Sequence, residues 1–413
     1  MARKLITHIN LTNILYALLI LIVMAMPYGI KFLPPLLSLT FLIWFIAFWV
    51  NKAYLHTDFK LYTNYLLPAF AIICLLSLTY SANWVNGIKM LERLISFVVF
   101  PFIFFTYRRR LKMDENQLFL LLGFSLMVSF AVLFIQFNLA VETTKLSELS
   151  LGDFFRYTRY YILIHSLALH PSYYSFLVLI FIAYYLSVAE KKIAFKSVHS
   201  AFAFLSLLLL LVLQSRGALV TLIFLGIYLL MKLFYLKKYY LLSVGLIILL
   251  SSTVWILNNT RMKETVRSVF SSEQSETTDS RIIIWNNALH TIKEKPIAGH
   301  GIGDALDELI KEHEKTGYAS GVEKRLDAHN QFLETWLQSG IIGLISLLLV
   351  FIFPVYHAIK KKQELLFLFL LVAFTQLLFE SMFVRLAGVV YFSFFYSFLY
   401  YYKSPGYRQV NLD

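Results

Sequence analysis

Apolar runs long enough to cross a bilayer follow one another along most of this chain, and few folds are compatible with that. About 20 residues span the hydrocarbon layer. Inside it every backbone N–H and C=O must find its partner within the segment, so each run is a helix and strands are not credible. Of 413 residues, 59% are apolar and only 15% charged, where a soluble domain carries roughly a quarter charged residues. A soluble enzyme is excluded.

The pattern reads as an all-α polytopic transmembrane helical bundle of about twelve spans, at 12–30, 32–50, 61–79, 91–107, 117–139, 171–188, 199–214, 217–236, 239–257, 340–358, 365–382 and 386–402. Arg3 and Lys4 precede the first run as they would in a signal peptide, but no A-x-A cleavage site follows, so the run is read as an uncleaved span. The net charge of +13 sits in short clusters between runs: Arg3/Lys4, Lys52/Lys60, Arg108 to Arg110 with Lys112, Lys191/Lys192/Lys196, Lys237/Lys238, Lys360 to Lys362 and Lys403. These fall on alternate loops, which places those loops and both termini on the cytoplasmic side. The basic balance is therefore an orientation signal and not a sign of nucleic-acid binding. The single cysteine, Cys74, excludes an internal disulfide.

Three parts follow: spans one to nine in 1–257, an outer loop in 258–339, and the last three spans with a tail in 340–413. Long loops are usually functional. This one carries helical periodicity at 281–294, with Ile282, Trp285, Ala288, Leu289 and Ile292 on one face. Pro296 ends that helix, and Gly299, Gly301 and Gly303 mark a tight turn. A charged helix follows at 304–315, and a third runs from Asp327 to Gly340, where the next span begins.

Charges at or inside spans cost about 2.5–3.5 kcal/mol on insertion scales and so call for a reason. Arg216, in QSRGA, sits on a tight hairpin between two runs at the outer face. A snorkelling arginine explains it; so does a cation at headgroup depth that grips a phosphate in two places. Arg281 opens the first loop helix, where a cation opposes the helix dipole unless an anion sits between it and the helix start. His329 lies at the expected start of the third loop helix, a setting that disfavours imidazolium and keeps the ring neutral as a general base. Asp327 would cap that helix or orient the ring. Lys89 and Arg93 share a face at the outer end of the fourth span. Arg156 and Arg159 lie among aromatics in FFRYTRYY, first of all an interfacial belt. His165 and His170 read as core residues, with Pro171 starting a helix. Arg385, near the outer end of the last span, is compatible with a structural role and with acceptor contact. No D-x-D, E-x-x-H, P-loop or G-x-S-x-G pattern occurs.

The order of these motifs resembles a known family. An S-R-G step at 215–217, SRIIIWNNAL at 280–289, PIAGHGIG at 296–303 and AHNQFLETWLQSGIIGLI at 328–345, with HPSYYSF at 170–176, are similar to the O-antigen ligase and O-antigen polymerase superfamily. The similarity covers residues 170–358 by motif and the rest through topology. It implies a glycosyltransferase of the C-type membrane architecture, in a bacterial inner membrane, with a periplasmic site. The donor would be a glycan on undecaprenyl pyrophosphate, and no metal or other cofactor would be needed. The ligase branch, favoured here, uses a lipid A-core acceptor; polymerases and protein O-oligosaccharyltransferases share the layout. His329, Arg216 and Arg281 match the family's catalytic positions, and Lys89, Arg93, Arg156 and Arg159 would help to hold the pyrophosphate. A carrier-lipid flippase is the alternative of another class; it would place its charges near the bilayer midplane.

Overall fold

The computed structural model describes residues 2–29, 31–50, 65–108, 110–140, 169–213, 215–243, 245–246, 251, 254 and 281–402. Among them every regular element is helical. In chain order these are α1 (Ala2–Ala25), α2 (Leu33–Val50), α3 (Leu66–Ser77), α4 (Trp84–Leu94), α5 (Ser96–Tyr107), α6 (Glu115–Ala140), α7 (Pro171–Val188), α8 (Lys196–Leu213) and α9 (Arg216–Tyr235). The outer loop contributes α10 (Arg281–Glu294), α11 (Ala305–Lys315) and α12 (Ala319–Glu323), followed by α13 (Gln331–Lys360), α14 (Glu364–Phe379) and α15 (Leu386–Tyr396), which a π turn extends to Tyr402. Six helices are long and apolar enough to cross a membrane, and four shorter apolar ones accompany them. The protein is an all-α polytopic membrane protein. Most of the expected ninth span, 239–257, lies outside the described residues.

The fourth expected span is different. Residues 91–94 belong to α4, and the apolar helix starts only at Ser96. Polar Asn86, Lys89 and Arg93 line one side of α4, while Trp84, Val85 and Ile88 are exposed. A helix that divides its residues this way lies along a surface and does not cross the bilayer.

Burial ranks the helices. In α7, 89% of residues are buried, against 17% in α2, so α7 is central and α2 peripheral. Helices α9 and α14 run antiparallel along their whole length. A Cβ on Gly217 would meet Phe379 Cβ at 3.1 Å, the Thr221 and Thr375 hydroxyls lie 2.8 Å apart, and Lys232 meets Glu364 at 2.6 Å. Close approach through small residues and hydroxyl pairs is what binds helices in lipid, where apolar burial offers no driving force. Lys238 with Glu190, Asn116 with Ala194 and Tyr402 with Met113 gather at the Lys232 end. The basic clusters near 108–112, 191–196 and 237–238 are thus at one end of the bundle, and Arg216 is at the other.

The outer loop docks on that other end. At Gly340 the backbone of α13 turns to φ 64°, ψ −165°, which breaks the helical ladder. The freed groups are answered by the glycine-rich turn. His300 N–H donates to the Leu337 carbonyl at 2.7 Å, Gly301 N–H to that of Gln338 at 3.0 Å, and Ile341 N–H to that of Pro296 at 3.0 Å. Buried backbone groups need such partners. On its other side the turn meets the link between α3 and α4: Ile302 N–H donates to Ser77 Oγ at 3.2 Å, and Gly303 N–H to Ser81 Oγ at 3.1 Å. Asp304 accepts from Ala82 N–H at 2.6 Å and Asn83 N–H at 2.7 Å, so it holds the segment leading into α4, whose cap is Asn83, accepting from Asn86 N–H.

Within the loop, α10 has the expected bounds but buries a different face. Ile284, Ala288 and Ile292 are inside with Asn287 and Thr291, whereas Ile282 and Leu289 are exposed. Asn287 decides the rotation, because its amide bonds His313 Nδ1 at 2.9 Å and Thr316 Oγ1 at 2.8 Å. The third loop helix and the tenth span are one kinked helix.

A Cβ at position 340 would lie 1.9 Å from the Ile297 carbonyl oxygen, while one at Gly317 (φ +69°) would meet nothing within 4 Å. Gly340→Ala is expected to destabilise by about 3 kcal/mol or more through combined strain and clash. Gly317→Ala should cost only the left-handed backbone term of about 1–2 kcal/mol. Thermal unfolding of the two detergent-purified variants checks the order; equal losses would mean that the turn is not locked into the kink.

Candidate active site

Helix ends build the site. Glu380 ends α14 in an extended conformation (φ −153°, ψ 137°) and is 8% exposed. One carboxylate oxygen accepts from Ser172 Oγ at 3.2 Å, and the other lies 3.3 Å from His329 Nδ1. A buried carboxylate needs partners of this kind. Asn330 N–H donates to Ser381 Oγ at 3.1 Å, and Phe383 N–H to Gln331 Oε1 at 2.6 Å, so residues 329–331 are stitched to residues 380–383.

His329 is not on a helix. Asn330 is the N-cap of α13, accepting from Phe332 and Leu333 N–H at 2.9 and 3.2 Å. His329 precedes it in the left-handed region (φ 44°). Asp327 neither caps the helix nor stands aside: it accepts from His329 N–H at 2.9 Å and lies 3.6 Å from Nδ1. The helix start expected to hold the ring neutral is therefore not its setting. Burial alone would lower the His329 pKa, but the Glu380 hydrogen bond and the Asp327 charge outweigh it and raise the pKa. Burial would likewise raise Glu380, yet its bond to His329 and the neighbouring His170 and Arg281 hold it well below the ordinary carboxylate range. With a carboxylate at Nδ1, that nitrogen carries the proton and Nε2 is the nitrogen left for a substrate.

Two arginines open helices near Phe379. Arg281, the first residue of α10, places its guanidinium 5.8 Å from the Phe379 ring centroid. Burial lowers its pKa, and Glu380 opposes that shift. Arg216, the first residue of α9, adjoins Gly217, which packs on Phe379 Cβ. The Phe379–Glu380 step thus joins Arg281 and His329, and the start of α9, where Arg216 stands, packs beside it, at helix ends and not in mid-span. His170 is exposed, not core; its Nδ1 accepts from Ser172 N–H at 3.3 Å, capping α7, whose first residue is Pro171 as expected.

Lys89 and Arg93 are in an adjoining cavity of about 290 Å3, with Arg325, Arg385, Asp327 and Glu334 in its walls. Arg93 donates to the Val384 carbonyl and to Met90 Sδ. Its pKa is lowered by burial and then by Arg385. Arg156, Arg159 and His165 lie outside the described residues. Glu294, His300 and Glu308 bring one ligand atom each within 4.8 Å of one another. Their charges are already met by Lys315 at 3.6 Å and Lys311 at 2.7 Å, and His300 Nε2 bonds the Thr291 carbonyl at 2.9 Å. This cluster is a structural lattice of the loop.

Sequence reasoning missed Glu380. Its signal was an acid at the end of an otherwise apolar run, in LLFESMF, where a charge carries the same insertion cost as Arg216.

Residues 201–348 match the sequence model of the family described as O-antigen ligase. That interval contains Arg216, Arg281 and His329. Over that segment the chain is similar to the O-antigen ligase superfamily. A Haemophilus influenzae protein of uncharacterised role is 25% identical over 368 residues, 86% of each chain. The ComP-specific O-oligosaccharyltransferase of Acinetobacter baylyi is 37% identical over 101 residues, which are 23% of this chain and 18% of that protein. Members of this superfamily are glycosyltransferase-like enzymes that use a lipid-linked glycan donor and an acceptor.

The Glu380–His329 pair sets a pH window. Its stabilisation is complete between the ordinary carboxylate and histidine ranges. It is lost as pH falls through the depressed Glu380 value or rises through the elevated His329 value. In Glu380→Gln the ring should titrate at lower pH than in the native protein. Diethyl pyrocarbonate modification of His329 across pH reads the midpoint, and an unmoved midpoint would break the pairing.

Proposed function

We propose that this protein is an O-antigen ligase, which moves a glycan from undecaprenyl pyrophosphate to a hydroxyl of a lipid A-core oligosaccharide at the periplasmic face of the inner membrane. Both termini are cytoplasmic in this reading, and the loop of 258–339 forms a periplasmic unit between two groups of spans. The observation that carries it is the His329–Glu380 pair with Arg281 on the adjoining Phe379 ring, beside which the start of α9 packs at Gly217, next to Arg216.

The chemistry follows from these residues. The acceptor O–H gives its proton to His329 Nε2 as its oxygen bonds to the anomeric carbon. Glu380 at Nδ1 steadies the imidazolium that forms, as the carboxylate of a catalytic triad does. The bond from the anomeric carbon to the pyrophosphate oxygen breaks, and its electron pair leaves on the pyrophosphate, so the configuration inverts. Arg216 and Arg281 meet that negative charge in a site of low dielectric, where fixed cations act most strongly and no metal is required. The undecaprenyl tail stays in the bilayer, because Arg216 opens an apolar helix and sits at headgroup depth. Charges at helix ends favour this over a flippase, whose charges belong near the midplane.

Similarity to the ComP-specific enzyme favours a second reading, transfer to a protein hydroxyl by the same donor chemistry. Deletion of the gene followed by gel analysis separates the readings. Loss of all capped lipopolysaccharide chains marks a ligase, retention of one repeat unit marks a polymerase, and unchanged lipopolysaccharide with loss of a glycoprotein marks the protein transferase.

With purified carrier-linked donor, His329→Ala should slow transfer by about 10²–10⁴-fold, and Arg216→Ala or Arg281→Ala by about 10²–10³-fold. Near-normal turnover in these variants would remove the site assignment.

A further inference from the structure

The cavity beside His329 has more positive charge than its own walls answer. Its four cations come from three separated segments: Lys89 and Arg93 from α4, Arg325 from the loop, and Arg385 from the start of α15. Against them stand two carboxylates, both already engaged. Glu334 accepts from Ala328 N–H at 3.2 Å and Gln338 Nε2 at 2.8 Å, and Asp327 accepts from His329 N–H at 2.9 Å. Arg93 is held by the Val384 carbonyl, and Arg325 by Asp307. The side chains of Lys89 and Arg385 make no hydrogen bond or ion pair with another described residue. Cations brought together from distant segments repel one another unless an anion joins them.

We propose that this cavity is a second anion site, which receives a phosphate or carboxylate carried by a sugar of the acceptor or of the transferred glycan. This rests on the transferase reading and names a substrate feature within it. Three observations separate it from the pyrophosphate site. Arg281, on Phe379, and Arg216 are not in its lining. Its walls include Ile302, Gly303 and Leu306 of the outer loop, so it lies against that loop. Its volume of about 290 Å3 lies at the lower end of ligand pockets, roughly 300–1,000 Å3, and suits one charged sugar residue. Asp327 lines the cavity and also holds His329. An anion bound here therefore fixes its sugar one contact from the reacting histidine, which is how remote charge contributes to orientation.

The test uses the full-length protein in nanodiscs. Glucose 6-phosphate should raise the melting temperature where glucose does not. Lys89→Ala/Arg385→Ala should abolish that shift, and Lys89→Arg/Arg385→Lys should keep it. Arg216→Ala/Arg281→Ala should keep it too, while losing the corresponding response to pyrophosphate. A shift that survives Lys89→Ala/Arg385→Ala, or that pyrophosphate competes away, overturns the proposal. In transfer assays the alanine double variant should raise KM for a phosphorylated acceptor at least tenfold more than for its phosphatase-treated form. The same comparison with donors bearing or lacking an acidic sugar shows which substrate carries the anion. If the native protein transfers nothing to any acceptor, the transferase reading fails while the melting experiment still decides the cavity.

Discussion

The break in α13 at Gly340 is the constraint on which the outer half of this protein depends. A helix interrupted where it leaves the membrane exposes carbonyls that lipid cannot satisfy. Here the turn at 296–301 supplies the missing donors and takes up the Ile341 N–H in return. One exchange of hydrogen bonds thus ties the loop to the bundle. It also fixes the angle at which the first nine residues of α13 leave the membrane, and with it the place of Asn330 and His329. The absence of a side chain at 340 is what permits the approach of Ile297.

From that clamp the site follows as a meeting of helix ends. The ends of α7, α9, α10, α13 and α14 each bring one polar group to the same region: His170, Arg216, Arg281, Asn330 and Glu380. Ends are where backbone groups lack helical partners and where charge can be held without breaking a ladder. Concentrating the charges there leaves the middle of α7 free to pack apolar residues on all sides. Glu380 links the groups, since it is bonded to His329 and Ser172 and follows the ring on which Arg281 rests.

Much of this was legible in the chain. The helices α7, α9 and α10 begin where Pro171, the S-R-G step and Arg281 indicated, and the glycine turn is where Pro296 and its glycines placed it. These signals are local: proline fixes the first turn of a helix, and length with apolarity fixes a span. The misreadings were relational. Residues 84–94 have the composition of a span's edge, yet they form a surface helix whose entry is held by Asp304 of the distant loop through the Ala82 and Asn83 N–H groups. The buried face of α10 was misjudged because its apolar count favoured Ile282 and Leu289, while the bonds of Asn287 to His313 and Thr316 turned it.

The sequence by itself determined that the chain is helical, that it lives in a membrane, which end is basic, and which cations are too costly to be incidental. These are properties of single segments in a solvent, and hydropathy and charge specify them. Only the tertiary structure decided that His329 leans on Glu380, that Arg281 meets Phe379 beside the start of α9, and that Lys89 and Arg385 line one cavity. Those pairings join residues 50 to nearly 300 positions apart. No local preference encodes such distances; they arise from how the helices stack, and from the one glycine that lets the loop come close.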